Sequence, residues 1–310
     1  MSDGEIATVT KDGVWVQDIN GTPINKKVFE VNWNAEAAEK GGFEHFMLKE
    51  IYEQPKAMRD TMTGRVNGEN NTIAFPELNW TEEELQGINK IFIVACGTAY
   101  HAGIVGKYYL EQLARIPVEV DIASEFRYRS PLVDGNSLTI VISQSGETAD
   151  SLAALRKAKE QGAKTLAIVN VVGSSIARAA DYVLYTYAGP EIAVASTKAY
   201  MVQLCTLYLF AFRLAYARGR LSEAETRRLT AELLRAGEVI QPRLADCEQI
   251  KYLASRFVNT QSCFFIGRGF DYSLSLEGSL KLKEISYVHS DAYAAGELKH
   301  GTISLITDGV

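Results

Sequence analysis

The pattern of apolar and polar residues changes along the chain and divides it into four regions. Residues 4–31 show short alternating apolar runs separated by turn-forming residues. The alternation predicts a β-hairpin formed by residues 8–10 and 14–16. Because a lone hairpin is too small to bury a core, we expect residues 1–34 to be the end of a larger β-containing domain.

Residues 35–72 are predicted to form a helical linker. Their apolar residues recur at helical spacing, as Met47 and Ile51 illustrate. Proline has no N–H to donate within a helix and clashes with the preceding turn. We therefore expect the helix to stop at Pro55 and to restart as far as about residue 62.

Residues 73–220 alternate between apolar runs of strand length and helical segments. Five runs are predicted strands: residues 91–95, 118–122, 138–142, 165–170 and 182–185. Strands that alternate with helices indicate βα units and a parallel sheet. We therefore predict an α/β fold in which helices cover both faces of an open parallel sheet.

The most apolar helix is predicted at residues 199–216. Its length is close to that of a membrane-spanning segment, but Gln203, Thr206 and Arg213 interrupt the apolar sequence. We therefore expect a helix buried in the protein core, with no membrane partner.

Residues 221–310 open with two predicted polar-faced helices and then repeat the earlier pattern. An offset of 172 residues aligns Gly97 with Gly269. The same offset aligns residues 123–126 with residues 295–298 without a gap. We predict a second copy of the α/β fold, truncated so that the chain contains only its first part.

The composition narrows the possible functions. The 310-residue chain has a formal net charge of −6, whereas proteins that bind nucleic acids or membrane surfaces usually present a basic face. Its four cysteines show no C-x-x-C spacing, so we expect neither a disulfide framework nor a zinc site, and a reducing cytoplasmic environment. No cluster of histidine, cysteine and acidic residues predicts a metal site.

The segment 143–148 is the strongest candidate for ligand binding. Ser143, Gln144, Ser145 and Thr148 follow a predicted strand and open a predicted helix. Hydroxyls and free N–H groups at a helix N-terminus form a cradle for an anion. Since the cradle contains no lysine or arginine, it favours a sugar phosphate over a nucleoside triphosphate. The same residues are also compatible with a simple helix cap and turn.

Two further hydroxyls are expected at the same edge of the sheet. Thr98 follows the first strand, and Ser196 precedes the long apolar helix. Loops at the carboxyl ends of parallel strands converge on one crevice, so both side chains are candidates for hydrogen bonds to sugar hydroxyls. Each residue taken alone is equally compatible with a helix cap.

Residues 279–301 carry the candidates for acid–base chemistry. Glu284 is the predicted general base, with Lys281 beside it on the same helix face. Glu277 shares that face, but we expect Glu277 and Lys283 to be solvated ion-pairing residues. Of the four histidines, His300 is the strongest candidate because it lies in a polar loop.

Four motifs closely resemble the glutamine–fructose-6-phosphate aminotransferase family. They are Ser143-Gln-Ser-Gly-Glu-Thr148, Glu191-Ile-Ala-Val-Ala-Ser-Thr-Lys198, Leu280-Lys-Leu-Lys-Glu-Ile-Ser286 and Ala294-Ala-Gly-Glu-Leu-Lys-His-Gly301. Any one motif indicates only the sugar-isomerase (SIS) fold, whereas the set is specific. The resemblance implies a glutaminase remnant, a linker, one complete SIS copy at residues 73–220 and a truncated second copy at residues 221–310.

The resemblance also implies an activity. The family converts fructose 6-phosphate and ammonia, which it takes from glutamine, to glucosamine 6-phosphate in the first step of amino-sugar biosynthesis. It implies a cytoplasmic homodimer that uses no metal or redox cofactor.

Each motif residue acquires an implied role from the resemblance. The phosphate would be held by Ser143, Gln144, Ser145 and Thr148. The sugar would be lined by Thr98, Val194 and Ser196. Glu284 would move the proton between C1 and C2, with Lys281 acting beside it. His300 would assist ring opening in a site built mostly by the other subunit.

The chain departs from the family pattern at several positions. Residue 2 is Ser2, and no cysteine near the start can act as the glutaminase nucleophile. Ala99 stands where serine is common, and Thr302 stands where proline is common. The lysine that forms a Schiff base with the sugar in the family would lie beyond Val310.

Two other functions use the same residue pattern. A regulatory module that binds sugar phosphates would share the SIS fold, but such regulators typically carry a basic helix-turn-helix head, which this sequence lacks. A simple aldose–ketose isomerase would use Glu284 and His300 without ammonia. The linker and the β-containing start of the chain favour the aminotransferase.

Overall fold

The computed structural model describes residues 1, 4–26, 28 and 39–307. The chain divides into two compact units, residues 1–32 and residues 33–310, and each is described by itself. Ser2, Val310 and the predicted boundary at residues 34–35 lie outside the described residues.

The first unit contains an antiparallel β-hairpin. Strands β1 (Glu5–Thr10) and β2 (Gly13–Asp18) pair in register from Glu5–Asp18 to Thr10–Gly13. The predicted hairpin is therefore confirmed. Val9, Val14 and Trp15 are all exposed, as expected for a hairpin without a core of its own.

The second unit begins with a helix that passes through proline. Helix α1 (Phe46–Met62) is continuous across Pro55, so the predicted stop at this residue is wrong. Pro55 leaves the carbonyl of Ile51 without its usual N–H donor. The side chain of Gln54 supplies one instead, because its Nε2 donates to Ile51 O at 2.8 Å.

A five-stranded parallel sheet forms the centre of the second unit. Its strands are β3 (Lys90–Ala95), β4 (Val118–Ile122), β5 (Ser137–Ser143), β6 (Lys164–Val169) and β7 (Tyr182–Tyr185). Their spatial order is β4-β3-β5-β6-β7. The chain winds outwards in opposite directions from the neighbours β3 and β5, which creates a topological switch point between them.

Helices cover both faces of this sheet, as predicted. They are α2 (Glu82–Gln86), α3 (Gly97–Tyr109), α4 (Ala123–Tyr128), α5 (Ala149–Glu160), α6 (Ser175–Ala179) and α7 (Lys198–Ala217), with a π-helical turn at Leu110–Ala114 after α3. Ile91 and Ile93 pack in the core that contains α7 residues, whereas Phe92 packs against Phe126 of α4 on the opposite face. Alternation along β3 thus places apolar side chains on both sides.

Helix α7 is the core helix that the sequence predicts. It is the one helix among the described residues that is long and apolar enough to cross a membrane, and 78% of its apolar window is buried inside the fold. Gln203 and Thr206 are buried with it.

After the central sheet, the chain forms a further, separate βαβ unit. Helices α8 (Glu223–Ala245) and α9 (Glu248–Ser255) precede strand β8 (Ser262–Gly267), helix α10 (Phe270–Ser286) and strand β9 (His289–Ala294). Strands β8 and β9 are parallel. The offset of 172 residues carries β3 onto β8, and the predicted truncated second copy of the fold stays a prediction. A turn of 3₁₀-helix follows at Thr302–Leu305.

Candidate functional site

A small cavity opens at the switch point, beyond the carboxyl ends of β3 and β5. Its volume is about 190 Å³. It is lined by Cys96, Thr98, Ala99, Ile142, Ser143, Gln144, Ser145, Thr148, Ser196 and Gln203. Six of the seven residues proposed from the sequence for phosphate and sugar binding are therefore brought together.

The loop after β5 forms an ordered set of hydroxyls. Ser143 Oγ lies 3.0 Å from Thr148 Oγ1 and accepts a 3.0 Å hydrogen bond from the Gly146 N–H. Ser145 Oγ accepts from the Glu147 N–H at 3.2 Å. The loop leads directly into α5, whose N-terminal N–H groups favour an anion. Among the described residues, no lysine or arginine lines the cavity.

Gly146 is required by the shape of this loop. Its φ of +67° is disfavoured for other residues. A Cβ at this position would also lie only 2.0 Å from Ser174 Oγ. The glycine therefore allows the turn to pack against the segment that begins α6.

The loop before α7 is held by Glu191. Its carboxylate accepts hydrogen bonds from Ser196 Oγ at 2.9 Å and from the N–H groups of Thr197 and Ala199 at 2.9 and 3.1 Å. Glu191 therefore caps the start of α7 and fixes Ser196 at the cavity wall.

Helix α1 supplies a second support for the same loop. Glu50 is only 2% exposed, and its Oε1 accepts from the N–H groups of Ile192 and Ala193 at 2.6 and 3.2 Å. Burial raises the pKa of Glu50 above its ordinary value, although these two hydrogen bonds oppose the change. Lys198 of α7 pairs with Glu53 of α1 at 2.7 Å.

The side chain of Val194 does not line the cavity. It lies in the same loop but is fully exposed. Its predicted contact with the sugar stays a prediction.

Helix α10 approaches the cavity through Glu277. This residue is 6% exposed, so the expectation that it is solvated is wrong. Its carboxylate accepts from Thr98 Oγ1 at 2.9 Å and lies 2.7 Å from His101 Nδ1. Because α10 packs against α3 here, the carboxylate is enclosed by polar partners on both helices.

The candidate base, Glu284, lies about two turns further along α10 than Glu277. Lys281 Nζ is 3.5 Å from Glu277 Oε1 and 2.5 Å from Glu284 Oε2. The predicted shared face of the three residues is thus observed. The Glu284 side chain is 34% exposed, which leaves it accessible, and Lys283 is exposed as expected.

His300 is not brought to the cavity. It lies in the turn after β9, where it is exposed, and it does not line the cavity. Its predicted role in ring opening stays a prediction.

Comparison with known proteins identifies the family. The SIS domain pattern matches residues 84–213 and 257–310. The C-terminal domain of glucosamine-fructose-6-phosphate aminotransferase from Francisella tularensis is 40% identical, with a TM-score of 0.83 over 87% of this chain and 76% of that one. The chain belongs to the glutamine–fructose-6-phosphate aminotransferase family of SIS-domain proteins.

Curated members of this aminotransferase family match the whole chain. The glutamine–fructose-6-phosphate aminotransferases (isomerizing) of Caldanaerobacter subterraneus subsp. tengcongensis and Clostridium tetani are each 57% identical over 309 residues, which is 100% of this chain. The chain spans 51% of the length of each of these relatives.

Four side chains at this SIS-domain site were not predicted from the sequence. They are Glu50, Glu191, Gln203 and Glu277. Glu191 could have been found as an acidic residue just before a helix, where it acts as a cap. The other three lie within helices and meet partners or the cavity from a distant part of the chain, for which the sequence offers no local signal.

Proposed function

We propose that this chain is the isomerase portion of a glutamine–fructose-6-phosphate aminotransferase, which produces glucosamine 6-phosphate from fructose 6-phosphate and ammonia. The observation that carries the proposal is the charge-neutral cradle of hydroxyls at the switch point, in a cavity that the Thr98–Glu277 hydrogen bond connects to the Lys281–Glu284 pair of α10. Family membership supports the same conclusion.

The phosphate group occupies the cradle in this proposal. Ser143, Ser145 and Thr148 offer hydroxyl donors, Gln144 offers an amide, and the start of α5 adds the positive end of its dipole. The cavity is smaller than the range of about 300–1,000 Å³ that is typical of ligand pockets. It therefore takes the phosphate end of the molecule, with the sugar directed towards the mouth.

The sugar lies between the remaining polar residues. Thr98 and Ser196 line the cavity and hydrogen-bond the sugar hydroxyls. Val194, which is fully exposed in the loop that carries Ser196, contacts the part of the sugar outside the cavity. Glu277 orients Thr98 by accepting a hydrogen bond from its hydroxyl group. The reacting carbons then point towards α10.

Glu284 is the base that moves the proton. Once ammonia has replaced the C2 carbonyl oxygen as an imine, with loss of water, Glu284 removes a proton from C1 and returns it to C2. The C1 hydroxyl gives up its proton and becomes the aldehyde oxygen, and the imine nitrogen gains one proton and becomes the amine, so that the proton lost from oxygen balances the one gained by nitrogen. Lys281 holds the carboxylate in place through their 2.5 Å ion pair.

The larger assembly is part of the proposal. Residues 1–34 are the end of a glutaminase domain, residues 35–72 are the linker, and residues 73–220 and 221–310 belong to two SIS domains. The break between compact units near residue 32 supports the first boundary. The protein acts as a cytoplasmic homodimer in which His300 completes the site of the partner subunit.

Ligand titration tests the proposal. Calorimetry should show that the chain binds fructose 6-phosphate and glucosamine 6-phosphate, and that Ser145→Ala with Thr148→Ala weakens both affinities by about tenfold or more, since hydrogen bonds to a charged group are lost. The control Ser255→Ala removes an exposed hydroxyl of α9 and should change neither affinity. An unchanged affinity in the double variant would remove the phosphate cradle from the proposal.

A further inference from the structure

Gln203 is the feature of the cavity that the proposed reaction leaves unused. It lies in α7, is only 2% exposed and lines the same cavity as the phosphate cradle loop. Its Oε1 is buried and has no hydrogen-bond partner in the described part of the chain. Of the residues that line the cavity, Gln203 alone carries such an atom.

A buried amide oxygen is stabilised only when a donor reaches it. An ionised phosphate offers acceptor oxygens, so it does not satisfy a carbonyl acceptor. A sugar hydroxyl does, because it carries a proton to donate. The cradle residues already provide the donors that a phosphate requires.

We propose that the side-chain amide of Gln203 binds a hydroxyl group of the sugar, and that this contact makes the cavity prefer a phosphorylated sugar to other phosphate compounds. The inference rests on the proposed function, since it assigns a further contact within the same site. It makes Gln203 a residue that determines specificity while the cradle supplies the affinity for phosphate.

An amide at position 203 is less favourable than an apolar side chain unless a ligand pairs with it. Gln203 is surrounded along α7 by buried apolar residues such as Val202 and Leu204. An unpaired amide destabilises such a core, and an apolar side chain of the same length would pack there without this penalty. Retaining the amide therefore requires a compensating interaction when the cavity is filled.

The test compares two ligands on the full chain by calorimetry. Gln203→Met keeps the length of the side chain but removes its hydrogen-bonding groups. We expect about a tenfold loss of affinity for fructose 6-phosphate and no change in affinity for inorganic phosphate. The control Gln161→Met alters an exposed glutamine at the end of α5 and should leave both affinities unchanged.

Thermal unfolding of the ligand-free protein provides the second measurement. The melting temperature of Gln203→Met should equal or exceed that of the wild type, because an unpaired buried polar group has been removed. If this variant does not fold, Gln203→Asn retains the amide but withdraws it by one methylene, and it should show the same selective loss.

Three results have distinct meanings. If wild type and variants bind fructose 6-phosphate equally, the assignment of Gln203 is overturned and the proposed function stands. If Gln203→Met weakens inorganic phosphate to the same extent, the amide contacts the phosphate and the hydroxyl assignment is wrong. If the wild type binds no sugar phosphate, the proposed function and the inference both fail.

Discussion

Glu50 shows how a single buried carboxylate supports the site. One of its oxygens accepts two backbone N–H groups of the loop before α7, while the other has no partner among the described residues. The charged form is therefore only partly compensated, and burial raises the pKa of the carboxyl group. The loop that carries Ser196 is thus held by a group whose ionisation opposes folding.

The stability of the protein should reveal this ionisation. The folded state holds the Glu50 proton more tightly than the unfolded state, so the contribution of Glu50 is most favourable below the ordinary carboxyl pKa and is lost as the pH rises through the raised folded-state pKa. Glu50→Gln retains an acceptor for the loop but does not titrate. Urea unfolding across this pH range should show that the variant gains stability relative to the wild type as the pH increases.

The control for this experiment is Glu69→Gln, which alters an exposed residue. Its stability relative to the wild type should not follow the same pH dependence. A difference between wild type and Glu50→Gln that stays constant with pH would show that burial does not perturb this carboxyl group.

At the scale of elements, α1 contains a proline that disfavours a helix and a neighbouring side chain that replaces the missing hydrogen bond. Pro55 removes one backbone donor, and the side chain of Gln54 replaces it at the Ile51 carbonyl. The helix can therefore remain continuous and pack along α7 and α8. This continuity joins Glu50 and Glu53, which precede Pro55, to the buried residues Met58 and Met62 on one helix.

Removing the hydrogen-bond donor of Gln54 should destabilise the protein. Gln54→Leu leaves the Ile51 carbonyl without a donor and should lower the free energy of unfolding by about 1 kcal/mol, as measured by urea denaturation. In a Pro55→Ala background the backbone N–H returns, so the effect of Gln54→Leu should be much smaller there. Equal effects in the two backgrounds would show that the side chain is not the replacement donor.

The sequence predicted most elements of the central sheet because their signals are local. Strands such as β5 are continuous apolar runs, and the cradle after it is a single short segment. Strand β9, with the sequence HSDAYA, has no apolar run and forms by pairing with β8. The enclosure of Glu277 escaped prediction for the same reason, because its partners come from α3.

At the scale of residues 33–310, Glu277 connects the five-stranded sheet with the β8-α10-β9 unit. It connects Thr98 and His101 of α3 with Lys281 of α10. The carboxylate thereby links Thr98 at the wall of the cavity to the helix that carries the candidate base. The same side chain therefore supports the packing of α3 against α10 and fixes the position of Thr98 relative to Lys281.

Truncating this link should affect both stability and binding. Glu277→Ala leaves polar partners unpaired in a buried environment and should lower the free energy of unfolding by about 2–4 kcal/mol. It should also weaken fructose 6-phosphate binding, since Thr98 loses its orienting partner. Urea denaturation and calorimetry measure the two effects.

The matched control is Glu125→Ala, an exposed glutamate on α4, which should change stability by no more than about 0.5 kcal/mol. A Glu277→Ala protein as stable as this control would show that the contact between α3 and α10 does not depend on the carboxylate.

The packing of α1 on α7 and α8 has a consequence during translation. The ribosome completes α1 before any strand of the sheet exists, and α7 emerges only after the last of them. At a synthesis rate of about 5–20 residues per second, this delay is on the order of ten seconds. Throughout it, the face of α1 that carries Ala57, Met58 and Met62 lacks the α7 and α8 surfaces on which it packs in the folded chain, and transiently exposed apolar surface of this kind favours aggregation.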